Sequence, residues 1–571
     1  MQRKPFRKIL ALLLAAALLA GTAAPSLAAP AEDRAVRFAV AADVHLRLPD
    51  ADLPVNYPES ELYYSCWGSG NQTHESTGLL LQTLRRAEET GARFVLLCGD
   101  LTHYGNETQH RYFASLLRGF EEESGIPVYV VPGNHDYYES TPARFKEYYA
   151  DFGYAEALAA DDVTASYTAE LPGGYRLIAV DSNDPGKDGD GLDERLFSWI
   201  GAQAEAAAAD EATPIVMMHH PLLEPIPYAS LLMKDFIVRD HEAVAERFAG
   251  WGFSYVFTGH EHGNNITSFT GSNGRVVYDI LTTSLNSYPT EFRTVDLSKE
   301  KMSISMERLE TLDPAYIPPG YNDAQRAAIM ADYTAYSLGF FKFSVAKKIE
   351  RVIAPEFIKK QLGEDTGVLA EAVDIVMPLA AEALNMPFYA EEGESVASLA
   401  AAAGATLPAS DYVSLMDLAT SLVAAVYCGE EDLPLETAPE GRIFIIALNT
   451  LLKYVLAQTG DRVAADELNR IFGALGLDQI DKIDLFRWNR AYNPGGAAGY
   501  AAAQAALAPL LDRFLVDDDV PDRETVLVPT PEAPRAEVRL TAFIRKLRAF
   551  FDFFTAFWKN LTAAGRRSAV C

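Results

Sequence analysis

Five short strings of polar residues, spread between positions 43 and 262, carry carboxylates, an amide and imidazoles. A hydrolytic site with two metal ions needs ligands of these types, and each string alone would be a weak signal. All five occur in one stretch of the chain, so they predict a dinuclear metal centre. The strings are Asp43-Val44-His45, Gly99-Asp100, Gly133-Asn134-His135-Asp136, His219-His220-Pro221 and Gly259-His260-Glu261-His262.

The elements that must position these side chains are strands. Each string follows an apolar run with at most one residue between them, at residues 36–42, 94–98, 126–131, 215–218 and 255–257. Residues two apart on a strand share a face, so Asp43 and His45 can point to one metal. The Asp100 carboxylate has two oxygens and can bridge two cations. Open α/β sheets bind ligands just beyond the carboxyl ends of their strands, which is where the strings lie.

This set of strings resembles the pattern D-x-H, GD, GNH[DE], H, G-H-x-H of the calcineurin-like metallophosphoesterase superfamily, over about residues 36–310. The resemblance implies an α/β fold, a four-layer α/β/β/α sandwich, that binds two metal ions. Mixed oxygen and nitrogen ligands admit Mn, Fe and Zn. By resemblance, one metal would take Asp43, His45, Asp100 and His262, and the second would take Asp100, Asn134, His219 and His260.

The resemblance also implies a reaction, the hydrolysis of a small phosphate ester. A metal-bridging hydroxide would attack phosphorus in line, and His135 would lie over the substrate and stabilise or protonate the leaving oxygen. Asp136 would orient the His135 imidazole. The Gly99–Thr102 and Gly133–Asp136 strings are similar to those of cyclic-nucleotide and glycerophosphodiester members. They favour a phosphodiesterase, with a phosphomonoesterase as the alternative.

Several neighbouring residues are open to more than one interpretation. Purple acid phosphatases have an iron-binding tyrosine three residues after the bridging aspartate, whereas this chain has His103 there, so we expect no coloured ferric enzyme. His103 and Tyr104 contact substrate or pack their loop. Strand alternation turns His220 away from His219, which indicates a structural role. Residues 46–78 form an aromatic insertion that either selects a substrate group or packs on itself.

The first 28 residues predict a signal peptide. Four basic residues precede an apolar run and a small-residue cleavage region. A membrane anchor is the alternative, but the run has about 12 apolar residues and a span needs about 20. We therefore expect a secreted, extracellular or cell-envelope protein. Cleavage would move the formal charge from -30 to about -34, which disfavours nucleic acid in bulk as a partner.

Composition divides the remainder of the chain. We predict a phosphoesterase domain over residues 35–310, a helical accessory domain over 320–515, an acidic, proline-rich linker over 516–535 and an amphipathic aromatic helix over 536–563. That helix could contact a membrane or cell wall peripherally, self-associate, or dock on the helical domain. A second hypothesis is an envelope-associated interaction protein that uses the phosphoesterase fold as a scaffold. The complete ligand set argues against it.

Overall fold

The apolar runs form strands, and alanine-rich segments of the second half form helices. The computed structural model describes residues 35–48, 70–184, 189–225, 236–317, 321–362, 367–429, 438–459 and 520–529. The strands are β1 Val36–Ala41, β2 Val95–Cys98, β3 Val128–Val131, β4 Ala159–Ala160, β5 Tyr167–Leu171, β6 Tyr175–Ala179, β7 Thr213–Met217, β8 Tyr255–Thr258, β9 Asn265–Thr270, β10 Val276–Leu281, β11 Glu291–Leu297, β12 Met302–Arg308 and β13 Thr525–Leu527.

Helices flank the sheets in the first half and dominate from residue 323. They are α1 Ser76–Thr90, α2 Glu107–Ser124, α3 Pro142–Tyr148, α4 Glu194–Ala209, α5 His241–Trp251, α6 Asp323–Ala331, α7 Tyr333–Val352, α8 Pro355–Leu362, α9 Gly367–Leu384, α10 Val396–Ala402, α11 Leu415–Cys428 and α12 Pro439–Thr459. Local sequence sets their ends. In α2, the Asn106 side chain accepts a hydrogen bond from the Gln109 amide at 3.0 Å, and Gly125 ends the helix in the left-handed conformation.

Two sheets pack face to face. The first has the order β13-β12-β11-β1-β2-β3 and the second the order β4-β5-β6-β7-β8-β10-β9. Neighbours among β1, β2 and β3 are parallel, as are those among β6, β7, β8 and β10, and antiparallel strands occupy both edges of the second sheet. The carboxyl ends of the parallel strands therefore meet at one edge of the sandwich.

Strand alternation explains the four layers. On β1, Val36, Phe38 and Val40 lie in the core between the sheets, whereas Ala39 and Ala41 face α1 and α2. The second sheet repeats this division, because its outer side chains pack against α4 and α5. Burial on both faces is why these strands are almost continuously apolar. The predicted α/β/β/α sandwich is confirmed.

The helical region has a core of its own. Side chains of α8 to α12 form an apolar cluster that contains no residue of the two sheets. A smaller cluster joins the two parts, in which Tyr288 packs against Phe341 of α7 and Cys428 of α11. Among the described residues, none of the helices combines the length and the apolar character that crossing a membrane requires.

The segment predicted as a linker departs from that prediction. Of residues 516–535, positions 520–529 are described, and β13 pairs with β12 in the first sheet. The Ile266 amide donates to Asp522 at 2.6 Å, so the segment also binds strand β9, more than 250 residues away in the sequence. The prediction of a linker is wrong here because it rested on composition, which carries no information about a distant strand edge. The predicted signal peptide, the aromatic residues of the insertion and the helix over 536–563 lie outside the described residues.

Candidate metal centre

The predicted ligands lie on the loops that follow β1, β2, β3, β7 and β8, and their backbone is unusual. Eight described residues other than glycine have a left-handed φ, and five of them are predicted ligands. Such a conformation costs about 1–3 kcal/mol at an ordinary residue and persists where its surroundings enforce it. Asp43 and His45 follow the last residue of β1, so they converge through left-handed turns and not through strand alternation as predicted. The five are Asp43 (φ 52°), His45 (44°), Asp100 (48°), His260 (78°) and His262 (63°).

Two motif glycines leave room for these side chains. A Cβ atom on Gly133 would lie 2.1 Å from Oδ1 of Asp100, and one on Gly259 would lie 2.5 Å from Oδ2 of Asp43. Both distances are far below van der Waals contact. These positions therefore require glycine because a carboxylate occupies the space beside the backbone.

The first group of predicted ligands comes together as expected. Nε2 of His262 lies 3.1 Å from Nε2 of His45 and 3.5 Å from Oδ1 of Asp43. The Asp43 carboxylate also accepts a hydrogen bond from the His260 amide, at 2.9 Å to its Oδ2, which connects the loops after β1 and β8. Asp43 and His45 are buried and His262 is partly exposed, so this group opens toward solvent on one side.

The second group lies beside the first and shares Asp100 with it. Nε2 of His219 is 3.0 Å from Nδ1 of His260 and 3.2 Å from Oδ1 of Asn134. Oδ2 of Asp100 is 3.5 Å from Nε2 of His45 in the first group and 3.5 Å from Nε2 of His219 in the second. One carboxylate oxygen thus stands between two sets of imidazoles.

The orientations of these imidazoles fit a pair of cations. Nδ1 of His219 lies 2.9 Å from the Cys98 carbonyl, which only an N–H can approach in this way. In neutral His219 the Nε2 atom then carries a lone pair, which points at Nδ1 of His260 and Asn134. Nε2 of His260 is buried without a hydrogen-bond partner. Nitrogen and oxygen lone pairs that converge in a buried space suit a metal ion.

The electrostatics of the centre support the same conclusion. Burial lowers the pKa of His45 well below its usual value, as does nearby His135, and burial lowers that of His260 in the same manner. Burial also acts to lower the pKa of His219, but the Asp100 carboxylate outweighs it and raises that pKa to about 9. A proton on His219 balances Asp100 here, and a bound cation would replace that proton.

The hydrogen-bond partners of His135 and Asp136 differ from the prediction. Nδ1 of His135 lies 2.8 Å from the His103 carbonyl, while the Asp136 carboxylate accepts from the amides of Leu101 (3.0 Å), Thr102 (2.9 Å) and Gly133 (2.9 Å). The prediction that Asp136 orients the His135 imidazole is wrong. Residues 135–137 form a 3₁₀ turn, in which consecutive side chains point about 120° apart. Asp136 instead joins the loops after β2 and β3.

The geometry agrees with a comparison of sequences. The sequence model of the family described as calcineurin-like phosphoesterase matches residues 36–264, a stretch that contains every predicted ligand. This stretch is a calcineurin-like phosphoesterase domain. The His and Asp groups of this domain could hold metal.

Individual relatives of the phosphoesterase domain are distant. Over 127 residues the chain is 27% identical to a probable glycerophosphodiester phosphodiesterase, GpdQ, from Arcobacter nitrofigilis. The aligned stretch covers 22% of this chain and 41% of that protein. The chain thus spans less than half the length of that relative. The structure of a dimetal phosphatase from Danio rerio matches with a TM-score of 0.37 and 15% identity. The match covers 48% of this chain and 96% of the phosphatase chain. The structure of an NAD nucleotidase from Haemophilus influenzae matches with a TM-score of 0.27 and 15% identity. That match covers 48% of this chain and 50% of the nucleotidase chain.

Two histidines beside the predicted ligands, His103 and His220, were not predicted to bind metal. The His103 imidazole belongs to a further group of nitrogen donors, with His45 and His135, whose atoms lie within 4.8 Å of one another. The sequence feature that could have indicated this role is the position of His103, three residues after Asp100. His220, as predicted, lies outside the ligand groups and bonds through Nδ1 to the Ser182 hydroxyl at 2.9 Å.

The helical region also reaches the phosphoesterase centre. The Asn264 amide, two residues after His262, donates to the Tyr427 carbonyl of α11 at 3.1 Å. Glu261 is largely buried, and burial together with Asp43 raises its pKa to about 8. Burial and this glutamate in turn raise the pKa of Tyr427 to about 12. No sequence pattern connects residues 261 and 427, so only the fold reveals this contact.

Proposed function

We propose that the chain is a secreted, dinuclear-metal phosphodiesterase that acts on a small phosphate ester. The observation that supports two metals is the position of the Asp100 carboxylate, 3.5 Å from Nε2 of His45 and of His219. Asp43, His45 and His262 would hold one ion with Asp100. Asn134, His219 and His260 would hold the other. Mn, Fe and Zn all suit this donor set.

The chain's own residues would orient the substrate and move its proton. When bound, two cations would supply a hydroxide nucleophile at neutral pH and neutralise phosphoryl charge. His135 donates through Nδ1 to the His103 carbonyl at 2.8 Å, so its other nitrogen, Nε2, is available to substrate. As an imidazolium, His135 would give the Nε2 proton to the leaving oxygen. Asp136 would keep the Asp100 and His135 loops at a constant separation through its hydrogen bonds.

Diester preference is supported by the relative from Arcobacter nitrofigilis, whose name is that of a probable phosphodiesterase. The deciding experiment is hydrolysis of bis(4-nitrophenyl) phosphate and 4-nitrophenyl phosphate by the mature protein, with and without Mn²⁺. We expect metal-dependent cleavage of the diester in preference to the monoester. Cleavage of the monoester alone would mean that the enzyme is a phosphomonoesterase. If protein that holds two metals cleaves neither substrate, the proposal is contradicted.

Export is the second part of the proposal. It is supported by the basic, apolar and small-residue regions of residues 1–28 and by the acidic charge of the chain. The protein recovered from the culture medium or envelope fraction should begin near Ala29 or Pro30 when its N-terminus is sequenced. Peripheral contact through residues 536–563 is tested by liposome binding of the chain with and without them. Equal affinities would dismiss that contact.

A further inference from the structure

An arginine lies beside the first ligand group without an acidic partner. Arg47 follows the ligand His45 by two residues and is partly buried. Its Nη1 atom is buried and has no hydrogen-bond partner, and within the part of the chain that the structure describes no carboxylate forms an ion pair with its guanidinium. A buried N–H group of this kind has lost its hydration without compensation, so a ligand that supplies an anionic oxygen would stabilise it.

The backbone around Arg47 is hydrogen-bonded on both sides. The Leu46 amide donates to the Leu101 carbonyl at 2.9 Å, and the His103 amide donates to the Leu46 carbonyl at 3.1 Å. The Arg47 amide donates to the Ser76 hydroxyl at 3.1 Å. These bonds join the loops after β1 and β2 to the start of α1. The side chain of Arg47 therefore begins at a defined point beside the ligands.

The Arg47 guanidinium lies on the His135 side of the centre. Its Cζ atom is 5.3 Å from the centroid of the Tyr104 ring, and the Tyr104 and His103 centroids are 4.6 Å apart. The His103 centroid lies 5.4 Å from that of His135. Burial lowers the pKa of His103 to about 3, and the charges of His135 and Arg47 act in the same direction. The guanidinium is thus close enough to His103 to disfavour a proton there.

The charges of the centre favour an anion beside Arg47. This residue adds a positive charge to a site that the proposed function loads with two cations, and like charges repel in a partly buried space. Its contact with the Tyr104 ring offsets that repulsion only modestly. A guanidinium carries five N–H donors in a planar fork, which matches the oxygens of a carboxylate or a phosphate. Arg47 therefore suits an anionic oxygen group on the substrate.

We propose that Arg47 binds a second anionic group, a carboxylate or a phosphate, on the leaving arm of the substrate. The substrate class is then a phosphodiester whose leaving alcohol carries a negative charge, and this inference rests on the proposed function. His135 would act on the leaving oxygen while Arg47 holds the charged end of the same arm, so the arm would be oriented from two points. A charge-assisted hydrogen bond of this kind is worth about 10-fold to 150-fold in affinity.

The test uses inert phosphinates that share a methylphosphinyl group and differ in the other arm, which is propyl, 2-carboxyethyl or 2-phosphonoethyl. Each is titrated calorimetrically into protein loaded with Mn²⁺. We expect the wild type to bind a charged-arm phosphinate at least about 10-fold more tightly than the propyl one, and the tighter of the two charged arms identifies the anionic group. Arg47→Gln should remove most of that preference, while affinity for the propyl phosphinate and metal content stay unchanged. Arg47→Lys should retain part of it, because the charge remains and the planar fork is lost.

Arg93→Gln is the matched control, since Arg93 is exposed and lies just before β2, at the end of that strand opposite to the metal centre. Equal binding of the three phosphinates by the wild type, or an undiminished preference in Arg47→Gln, would overturn the inference. An equal loss of preference in Arg93→Gln would also overturn it, because net charge would then explain the effect. If Arg47→Gln weakens all three phosphinates equally, Arg47 binds the phosphoryl group and the charged arm is refuted. Absence of diester hydrolysis would contradict the proposed function alone, because the titration does not depend on turnover.

Discussion

The phosphoesterase domain and the helical region use their residues in opposite ways. In the domain, five predicted ligands have left-handed backbone and converge as buried polar groups. In the described part of the helical region, positive φ occurs at Gly393, Gly404 and Gly429 and at no other residue type. All ten histidines of the chain precede position 263. Polar residues with left-handed backbone cluster at the candidate metal centre, whereas the described helical region follows ordinary rules of apolar packing.

The contrast is sharpest where the two parts touch. Glu75 before α1 accepts hydrogen bonds from Tyr321 and Tyr336, and Gln72 accepts one from Tyr333. Glu291 on β11 binds Arg308 at 2.6 Å and Arg523 at 2.7 Å. Buried polar contacts thus attach the helices and the β13 segment to the domain, so changes there should affect stability, while changes at the ligands should affect chemistry.

The largest effect should come from Asp100→Asn. Loss of the charge that both ligand groups share should lower kcat/KM at least about 10³-fold and reduce bound metal below two ions, since changes to residues that merely support ligands already cost 10-fold to 100-fold. Activity and metal content by elemental analysis measure this. Asp374→Asn, an exposed carboxylate of the helical region, is the control and should change neither. Retention of two metals in Asp100→Asn would argue against a shared ligand.

His135→Ala should separate chemistry from metal binding. We expect activity to fall about 10²-fold to 10³-fold because the proton donor is lost, with two metals still bound. His241→Ala, at the start of α5 and outside the ligand groups, is the control and should be neutral. Metal loss equal to that of Asp100→Asn would show that His135 is a ligand.

Glu291→Ala should affect stability and leave the ligands in place. It removes a fully buried carboxylate from Arg308, Arg523 and Asn264, and breaking such a network costs about 3–5 kcal/mol of unfolding free energy. Urea unfolding measures the loss, and hydrogen exchange at residues 525–527 should rise with it. Glu194→Ala breaks an exposed pair with Arg247 and should have little effect. Similar losses of unfolding free energy in Glu291→Ala and Glu194→Ala would show that the buried network is worth no more than an exposed ion pair.

The smallest effect is a pH dependence at Glu75. Burial raises its pKa from 4.5 to about 7, so the folded protein holds a proton that the unfolded chain releases between these values. The neutral carboxyl therefore contributes fully below pH 4.5, and stability falls as pH rises to about 7, by on the order of 3 kcal/mol. Unfolding at pH 5 to 8 should show this slope in the wild type and a shallower one in Glu75→Gln. Identical slopes would mean that Glu75 is ionised in the folded protein.

Much of the domain could be predicted because its signals are local. The apolar runs that precede Asp43, Asp100 and His219 are buried strands, and β1, β2 and β7 end within two residues of the predicted positions. β5 and β9 were not predicted, because Tyr167–Leu171 and Asn265–Thr270 mix polar and apolar residues without a clean period. The role of Asp136 was predicted wrongly, because its direction depends on a 3₁₀ turn that the motif does not reveal.

The sequence by itself determined which residues are candidate metal ligands and which strands precede them, since a ligand string at the end of a buried strand is a local pattern. Only the tertiary structure decided what surrounds those atoms. It placed the His103 carbonyl against His135, the ring of Phe236 against that of His260, and the 520–529 segment at the edge of the first sheet. These contacts join residues far apart in the chain, and their partners are chosen by how the layers pack rather than by any spacing along the sequence.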